Sequence, residues 1–295
     1  MWHREVMESF DLRALLSRFG GEVFAGVTSA PANRDEIKTE VRMLDSESAP
    51  VVADMPTVCC FIDGIQSSVT LGWRESRPVA LHYAGAGAAN RGELLSIAEE
   101  LSLVCAAEDE EWVTAESGGV PVLVVEDGSP TDVSRNVAAE LGGMRERLER
   151  GLCEQILKDT TEGLVVCDGS IVGRDRNDRV VGVVKTTQSR YLADESVLWR
   201  LPKGWRSPRF VIPGAGATSV DRHSCYVRLQ DARRRPWDFG LIRVETWNEY
   251  ALMSVAKLAL EDSQDGSRQD SRWDRHLRSV RNVEDLMRAR RPALF

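Results

Sequence analysis

The chain has 295 residues, of which 42% are hydrophobic and 28% charged, and its formal net charge is −8. These values are typical of a globular protein with a sizeable core, and they exclude a wholly disordered chain and a uniformly basic nucleic-acid binder. The apolar runs are far shorter than the roughly 18–20 residues of a membrane span, and residues 1–20 are charged and amphipathic rather than signal-like, so we expect a cytoplasmic protein without a membrane segment.

Strands dominate the elements predicted for the first part of the chain. Apolar residues at helical spacing, closed by Gly20–Gly21, predict one helix at residues 8–19. A second helix, with its connection, is predicted at residues 91–111. Apolar and β-branched runs predict four strands, at Val58–Ile62 and at residues 67–73, 77–88 and 120–126.

A long helix is the main element predicted for the middle of the chain. Apolar residues recur at steps of three and four from Val137 to Ile156, and they predict a helix over residues 131–158 with Thr131 or Ser134 as its cap. A helical C-terminal region is expected after a further set of strands, predicted at residues 163–169, 179–192, 208–214, 224–231 and 239–247. Strands in series, then a helix, then a strand indicate a mixed α/β architecture.

Two of the predicted strands end on an Asp-Gly pair, at Asp63 and at Asp168. Such a pair is common turn chemistry, and Asp127–Gly128 shows that it recurs in this chain. If the two strands are parallel neighbours, however, both aspartates lie in the crevice at their carboxyl ends, where open α/β sheets place ligands. Two carboxylates so close together repel unless a divalent cation lies between them. The glycine after each aspartate would let the backbone turn away sharply.

A third carboxylate is expected from the long helix. At about 100° per residue, Glu149 lies roughly 80° from the centre of the apolar stripe and Glu146 roughly 140° from it. Glu149 is therefore at the shoulder of the buried face, whereas Glu146 points to solvent. Arg145, four residues before Glu149, could instead form an ordinary helical ion pair with it. Two strand aspartates and a helix glutamate are suited to two-metal hydrolysis of phosphodiesters.

The cysteines and histidines do not predict a site of their own. The six cysteines show no CxxC pair, and most lie in apolar runs, so we expect buried and reduced thiols. With four histidines in the chain, a metal would be held by carboxylates. Carboxylate ligands favour a hard cation such as Mg²⁺ or Mn²⁺.

Four segments of the sequence share an order that is found in a known family. They are CCFIDGIQSS, then MRERLE on the long helix, then GLVVCDGSIVG, then VVGVVKTTQSRYL. In this order the chain resembles the NurA family of DNA nucleases, whose pattern matches Asp63, Glu149, Asp168 and Lys185. The later segment GLIRVE is similar to the family's arginine–glutamate strand. The likeness spans most of residues 57–290.

The resemblance implies an α/β fold with an RNase H-like mixed sheet flanked by helices, an additional β-rich insertion and a helical C-terminus. It implies that residues 57–295 form the NurA-like nuclease domain, preceded by a helical and extended segment at residues 1–56. It further implies a site for manganese or magnesium and DNA as the substrate. Members of the family are homodimers that dock on the hexameric ATPase HerA, process DNA ends, and in related bacterial pairs act in defence against phage.

The resemblance also assigns a role to each matched residue. Asp63 and Asp168 hold the metal, and Glu149 completes the cluster and orients the attacking water. Lys185 contacts the scissile phosphate; the alternative is a surface lysine at the end of a strand. The candidates for a further ligand stay open: Glu245, Asp270 and His276.

Two departures from the family pattern keep other functions open. The first motif has Asp-Gly-Ile-Gln-Ser in place of Asp-Gly-Ser, and the family's late ligand segment is missing from the sequence. One alternative is a catalytically degenerate NurA-like subunit that regulates its ATPase partner. Another is an actin-like or sugar-kinase-like phosphotransferase, for which residues 213–218 offer one glycine-rich loop.

Some arginines and tryptophans are candidates for contacts with nucleic acid. Arg243 could hold a phosphate or pair with Glu245 on its own strand. Arginine-rich segments at residues 231–237 and 268–295 could attract a polyanion or form ordinary solvated surface. Of the eight tryptophans, Trp199 and Trp205 flank a basic loop and are the better candidates for stacking on bases.

Overall fold

The structure is a computed structural model that describes residues 12–19, 37–38, 41–90, 92–185, 189–214, 220–263 and 273–292. Within these residues the helices are α1 (Leu12–Arg18), α2 (Glu110–Glu116), α3 (Pro130–Asp159), α4 (Ser196–Trp199), α5 (Glu249–Asp262) and α6 (Arg278–Arg290). None of the described helices is long and apolar enough to cross a membrane.

The first seven strands in the same residues are β1 (Ile37–Lys38), β2 (Arg42–Met43), β3 (Ala49–Pro50), β4 (Val58–Arg74), β5 (Arg77–Asn90), β6 (Glu93–Ala106) and β7 (Val122–Val125). The second seven are β8 (Leu164–Asp168), β9 (Val180–Val184), β10 (Ser189–Arg190), β11 (Trp205–Arg206), β12 (Phe210–Ile212), β13 (Arg222–Arg228) and β14 (Leu241–Thr246).

Twelve of the described strands form one mixed sheet, in which β6, β5, β4, β8 and β9 are neighbours in that order. β4, β5 and β6 form an antiparallel meander, and β8 pairs parallel to both β4 and β9. A meander followed by a helix and by a strand parallel to the first strand is the RNase H-like arrangement, so the predicted fold class is confirmed. Beyond β9 the sheet continues through β14, β13 and β12.

Helices cover both faces of this sheet. On one face Leu152 and Ile156 of α3 pack with Ile62 of β4. On the other face Met287 of α6 shares a core cluster with Phe61 of β4 and with α5. Neighbouring residues of a strand point to opposite faces, so α3 and α6 cover different sides of the same strand. The cysteines belong to these layers, since all six are free and five are buried, as predicted.

The long helix α3 confirms the helix predicted for the middle of the chain. Its first turn contains Pro130, and its cap is Ser129, whose Oγ accepts a hydrogen bond from the backbone N–H of Asp132 at 3.3 Å. The predicted caps Thr131 and Ser134 lie inside the helix, so that detail is wrong. A serine before a first-turn proline is the more favourable start, since proline has no N–H to satisfy.

Strand β6 contradicts the helix predicted at residues 91–111. Residues Glu93–Ala106 are extended and pair antiparallel with β5 and parallel with β7. The spacing of Leu94, Ile97 and Leu101 suits a helix as well as a strand. Pairing of both edges of the segment within the sheet outweighs this local preference.

Strand β4 also differs from the prediction. The strands expected at residues 58–62 and 67–73 are parts of a single 17-residue strand. Asp63 therefore lies inside a strand and not at its carboxyl end, so that placement is wrong. The Asp-Gly pair does not end the strand because β5 supplies register partners throughout, with Gly64 opposite Ala86 and Ser67 opposite Tyr83.

Strands from the N-terminal segment join the same sheet. β2 pairs with β12, and β3 pairs with β11, so residues before 57 are hydrogen-bonded to residues after 200. The division of the chain at residue 56 stays a prediction.

Candidate active site

The two aspartates singled out in the sequence lie on adjacent parallel strands. Ile62 of β4 is the register partner of Cys167 of β8, so Asp63 and Asp168 are the next residues on their strands. Strand alternation places both on the face that α5 and α6 cover. Asp63 and Asp168 therefore lie on neighbouring parallel strands as expected, although only Asp168 ends its strand.

Asp63 is enclosed by protein and by other charges. Its exposed fraction is 4%, and its Oδ1 atom accepts a hydrogen bond from the backbone N–H of Gly64 at 2.8 Å. Burial raises the pKa of Asp63 well above its ordinary value, the carboxylates of Asp168 and Glu149 raise it further, and Lys185 opposes the shift. Negative charge is concentrated at this point, a condition that favours uptake of a proton or a cation.

Lys185 lies directly against Asp168. Its Nζ atom is 2.9 Å from Oδ1 and 3.0 Å from Oδ2 of that carboxylate, and 7% of the lysine side chain is exposed. The alternative of a surface lysine is therefore wrong. The backbone of Lys185 is held as well, because its carbonyl oxygen accepts a hydrogen bond from Nη1 of Arg275 at 3.0 Å.

Glu149 approaches from the opposite face of the sheet, on α3. Glu149 is 5% exposed and Glu146 is exposed, as the helical phase predicted. Nη1 of Arg145 lies 3.2 Å from Oε1 of Glu149, and Nη2 of Arg174 lies 3.5 Å from Oε2. Burial raises the pKa of Glu149, and the two arginines offset only part of that shift. The helical ion pair with Arg145, weighed as an alternative, is therefore present.

The glycines that follow the two aspartates have different roles. Gly169 has a φ of 94°, in the left-handed region, and it lets the chain turn away after β8 as predicted. Gly64 continues the strand, so a sharp turn there is wrong. A Cβ atom at Gly64 would lie 2.6 Å from Oε1 of Glu149 and 2.8 Å from Cγ of Arg145. Glycine is favoured at this position because two side chains of α3 occupy the space beside the strand.

Glu245, one of the open candidates for a further ligand, is buried among other partners. Its carboxylate lies 2.7 Å from Nη2 of Arg243 and 3.0 Å from Nη1 of Arg222, and it accepts hydrogen bonds from Ser170 Oγ and the Ile171 N–H. Burial raises the pKa of Glu245, but the two arginines and these hydrogen bonds outweigh it and hold the pKa below its usual value. The expected pairing of Arg243 with Glu245 is confirmed. Glu245 thus fastens the turn that follows β8.

The structure says less about His276 and Asp270, the other two candidates for a further metal ligand. His276 is buried, and its role as a ligand stays a prediction. Asp270 lies outside the described residues, as does part of the glycine-rich loop at 213–218, of which residues 215–219 are not described.

Two arginines that the sequence interpretation missed help to hold the site together. Arg174 donates from Nη1 to the backbone carbonyl of Glu149 at 3.2 Å, in addition to its ion pair with the same residue. Arg222 donates to Ser170 Oγ at 3.0 Å and pairs with Glu245. Arg174 is the first basic residue after the second Asp-Gly motif, which is the one signal that could have indicated it. Arg222 is a strand residue with no local signal.

Two cavities flank the carboxylates. One, of about 300 Å³, is lined by Glu149, Asp168 and the turn after β8. The other, of about 360 Å³, lies between Gly64 and the end of α6. The arginines that line one or both cavities are Arg145, Arg150, Arg174, Arg288 and Arg291. In the first cavity Glu146, Glu149 and Asp168 balance the three arginines, whereas in the second Glu284 is the acid beside three arginines. The second cavity therefore suits an anionic ligand such as a phosphate.

The carboxylates fit a hard cation in part. Among the described residues, no three His, Cys, Asp or Glu side chains are grouped closely enough to hold a metal ion. Asp63 and Asp168 nevertheless share a face and directly follow the register partners Ile62 and Cys167, and the Lys185 ammonium pairs with Asp168. Such oxygen donors suit Mg²⁺ or Mn²⁺. This pair would fit the ion once Lys185 leaves Asp168, whereas Glu149 on α3 has arginine partners.

Fold and site together define an RNase H-like α/β protein with paired acidic side chains on its central parallel strands. Comparison with solved structures finds a partial likeness to the NurA nuclease from Sulfolobus solfataricus, with a TM-score of 0.45 and 11% identity over 75% of this chain and 78% of the other. The catalytic domain of human Endonuclease V aligns with a TM-score of 0.36 and 12% identity over 98% of this chain and 97% of its own. No family model matches the chain, and no curated protein does. At these scores neither likeness assigns a role to any residue.

Proposed function

We propose that the protein is a metal-dependent DNA nuclease that hydrolyses phosphodiester bonds. The observation that carries the proposal is the position of Asp63 and Asp168 as register neighbours on parallel strands, beside the ammonium group of Lys185. Carboxylates in this proximity hinder one another's ionisation unless a cation balances them. The cavity between Gly64 and the end of α6 is lined by three arginines and one acid, and it supplies complementary charge for a phosphate backbone.

In the proposed mechanism Asp63 and Asp168 would hold Mn²⁺ or Mg²⁺. When bound, such an ion lowers the pKa of water and stabilises charge on the leaving oxygen. The ammonium group of Lys185 would leave Asp168 and contact a non-bridging oxygen of the scissile phosphate. There it would balance the negative charge that develops during the reaction.

Glu149 is the third acidic residue of the proposed site. To act as a ligand it would have to leave Arg145 and Arg174, which pair with it in the structure. Those arginines are suited to exchange a carboxylate for a substrate phosphate, because both groups accept paired guanidinium hydrogen bonds. The raised pKa of Glu149 also suits acceptance of a proton from the attacking water.

The proposal includes the partners that the motif order implies. The protein would act in the cytoplasm as a homodimer together with a HerA-type hexameric ATPase, in DNA end processing or in defence against phage. The support for this part is the sequence resemblance around Asp63, Glu149, Asp168 and Lys185.

A second candidate function has a specific observation in its favour. Lys185 holds both oxygens of Asp168, and the described residues contain no group of three metal-binding side chains. This arrangement suits a catalytically degenerate subunit that regulates its ATPase partner, because an internal ammonium group would replace the metal permanently. The two candidates differ in a single measurable property, which is metal-dependent cutting of DNA.

The test uses the purified full chain with linear single-stranded and duplex DNA, in Mn²⁺, Mg²⁺ or EDTA, with and without its ATPase partner. We expect cutting in Mn²⁺ or Mg²⁺ and none in EDTA. Asp168→Asn should lower the rate by about 100-fold or more, since it removes a charged ligand at the reacting centre. Asp175→Asn, at an exposed acid shortly after the same motif, is the matched control and should cut normally.

Two outcomes would contradict this reasoning in different ways. If neither metal supports cutting under any of these conditions, the protein is not a nuclease and the regulatory subunit is favoured. If Asp168→Asn cuts as fast as the parent chain, the site is elsewhere. Because Asn leaves the buried Lys185 without its anion, a thermal melt of the variant must accompany the assay.

A further inference from the structure

A third cavity lies outside the candidate active site, in the β-rich part of the fold. Its volume is about 470 Å³, and its walls are two short loops, residues 199–203 and residues 231–233. The first begins at Trp199, the last residue of α4, and the second lies between β13 and β14. We call this cavity the Trp199 groove.

The charge of the Trp199 groove is opposite to that of the protein as a whole. Arg200, Lys203 and Arg233 line it with exposed side chains, and Asp231, the acid among its lining residues, lies 3.6 Å from Nε of Arg233. Three cations and one anion give a local charge of +2, in a chain whose formal charge is −8. Such a local reversal of charge attracts a polyanion to one place on the surface.

Trp199 presents an aromatic surface inside this cationic setting. Its exposed fraction is 58%, and it lines the groove next to Arg200. A single exposed apolar side chain is common and means little by itself. An exposed indole surrounded by cations is different, because it combines the two groups that proteins use to hold single-stranded nucleic acid, a stacking platform and a contact for phosphates.

A buried arginine holds the first wall of the groove in place. Arg228 of β13 is fully buried and donates hydrogen bonds to backbone carbonyls in and beside the first loop and to two carbonyls further along the chain from the second. These are Leu201 at 3.3 Å, Leu198 at 2.6 Å, Trp237 at 2.9 Å and Phe239. Burial lowers the pKa of Arg228 to about 10, so the group remains charged at neutral pH. The first wall of the groove is therefore held by the protein's own hydrogen bonds, which lowers the entropy lost on binding.

We propose that the Trp199 groove binds single-stranded DNA, with a base stacked on Trp199 and the phosphates beside it contacting Arg200, Lys203 and Arg233. Single strands are favoured over duplex because bases in a duplex are already stacked on one another and do not offer a free face. The choice of DNA rests on the proposed nuclease function, to which the groove adds a strand-binding site outside the carboxylates.

The test measures the affinity of the full chain for a fluorescently labelled oligo(dT) by anisotropy, in EDTA so that nothing is cut. Trp199→Ala should weaken binding by about tenfold or more, and Trp199→Phe by about threefold at most, because one stacking platform is lost or reduced. The matched control is Trp73→Ala. Trp73 is 53% exposed on the β4–β5 hairpin, where its neighbour Arg74 pairs with Asp109, and its loss should leave binding unchanged.

A second measurement tests the phosphate contact through its dependence on salt. Lys203→Ala should reduce the slope of log affinity against log salt by about 0.7, the value for one phosphate contact on a single strand. Lys257→Ala, which removes a lysine paired with Glu261 on α5, should leave the slope unchanged.

The inference and the proposed function fail in distinguishable ways. The inference is overturned if the parent chain does not bind oligo(dT), or if Trp199→Ala and Trp73→Ala bind with equal affinity. It is also overturned if duplex DNA binds as tightly as oligo(dT) and Trp199→Ala weakens the binding of duplex DNA no more than Trp73→Ala does. Binding in EDTA that depends on Trp199, without any cutting in Mn²⁺, would support the groove and contradict the nuclease.

Discussion

Replacing Gly64 by alanine tests the contact between β4 and α3 in a direct way. The added methyl group would lie 2.6 Å from Oε1 of Glu149, 2.8 Å from Cγ of Arg145 and 3.1 Å from the backbone oxygen of Gly85. The first two atoms belong to side chains that are held by ion pairs, and the third belongs to the neighbouring strand. Because none of them can withdraw freely, α3 must shift or the arginine pairing must break.

The change in the free energy of unfolding caused by Gly64→Ala is the sum of two opposing contributions. Overpacking of a core costs about 1–3 kcal/mol, whereas alanine recovers about 0.5–1 kcal/mol of backbone entropy relative to glycine. We therefore expect Gly64→Ala to lower the free energy of unfolding by about 1–2 kcal/mol. Urea titration followed by circular dichroism measures this difference directly.

The matched control is a glycine on α3, the helix that packs against β4 at Gly64. Gly151 lies on α3 with no described atom within 4 Å of an added Cβ, so Gly151→Ala should stabilise the protein by about 0.5–1 kcal/mol. A double-mutant cycle of Gly64→Ala with Glu149→Ala should show a coupling of at least about 0.5 kcal/mol, because the nearest obstructing atom is then gone. A Gly64→Ala variant as stable as the parent chain, or additive in that cycle, would refute the assigned role of Gly64.

Two further predictions concern buried charge. Burial lowers the pKa of His82 from 6.5 to about 4, so the unfolded chain binds more protons between those values and stability should fall by about 3 kcal/mol as the pH drops through that window. His82→Leu should remove this part of the acid sensitivity in urea titrations at pH 7 and pH 4.5, and an unchanged pH dependence would show that the shift is absent. Glu245→Gln should cost about 3 kcal/mol, because Arg243 is left buried without its anion. The exposed control Glu261→Gln should change stability far less, because exposed ion pairs are screened by solvent, and equal losses in the two variants would contradict the burial of the first pair.

The features that local chemistry determines were predictable from the sequence. The helical phase of α3 places Glu149 at the buried shoulder and Glu146 in solvent, because the period of the helix fixes their relative directions. The end of β8 at Asp168 and the turn at Gly169 follow from the same kind of local rule, a glycine in the left-handed region. The parallel pairing that brings Asp63 beside Asp168 was a conditional expectation, and the register bears it out.

The features that depend on distant partners were not predictable from a single sequence. β6 carries a pattern that also suits a helix, and its pairing with β5 and β7 decides the outcome. The run of β4 through Asp63 depends on the matching length of β5. The contacts of Arg174 with Glu149 and of Arg222 with Glu245 join residues more than twenty positions apart, and no local spacing rule reaches that far.

The anchoring of the turn after β8 has a consequence for how far this protein could be trimmed. Ser170 and Ile171 are held by Glu245 on β14, which is itself held by Arg222 on β13. A minimal version built from the five central strands alone would keep the sheet order and both aspartates. It would lose the external brace that orients the segment beyond Asp168. In this protein β13 and β14 therefore hold the turn that follows Asp168 in position. Any ancestor or shortened relative without them would need other contacts to hold that turn.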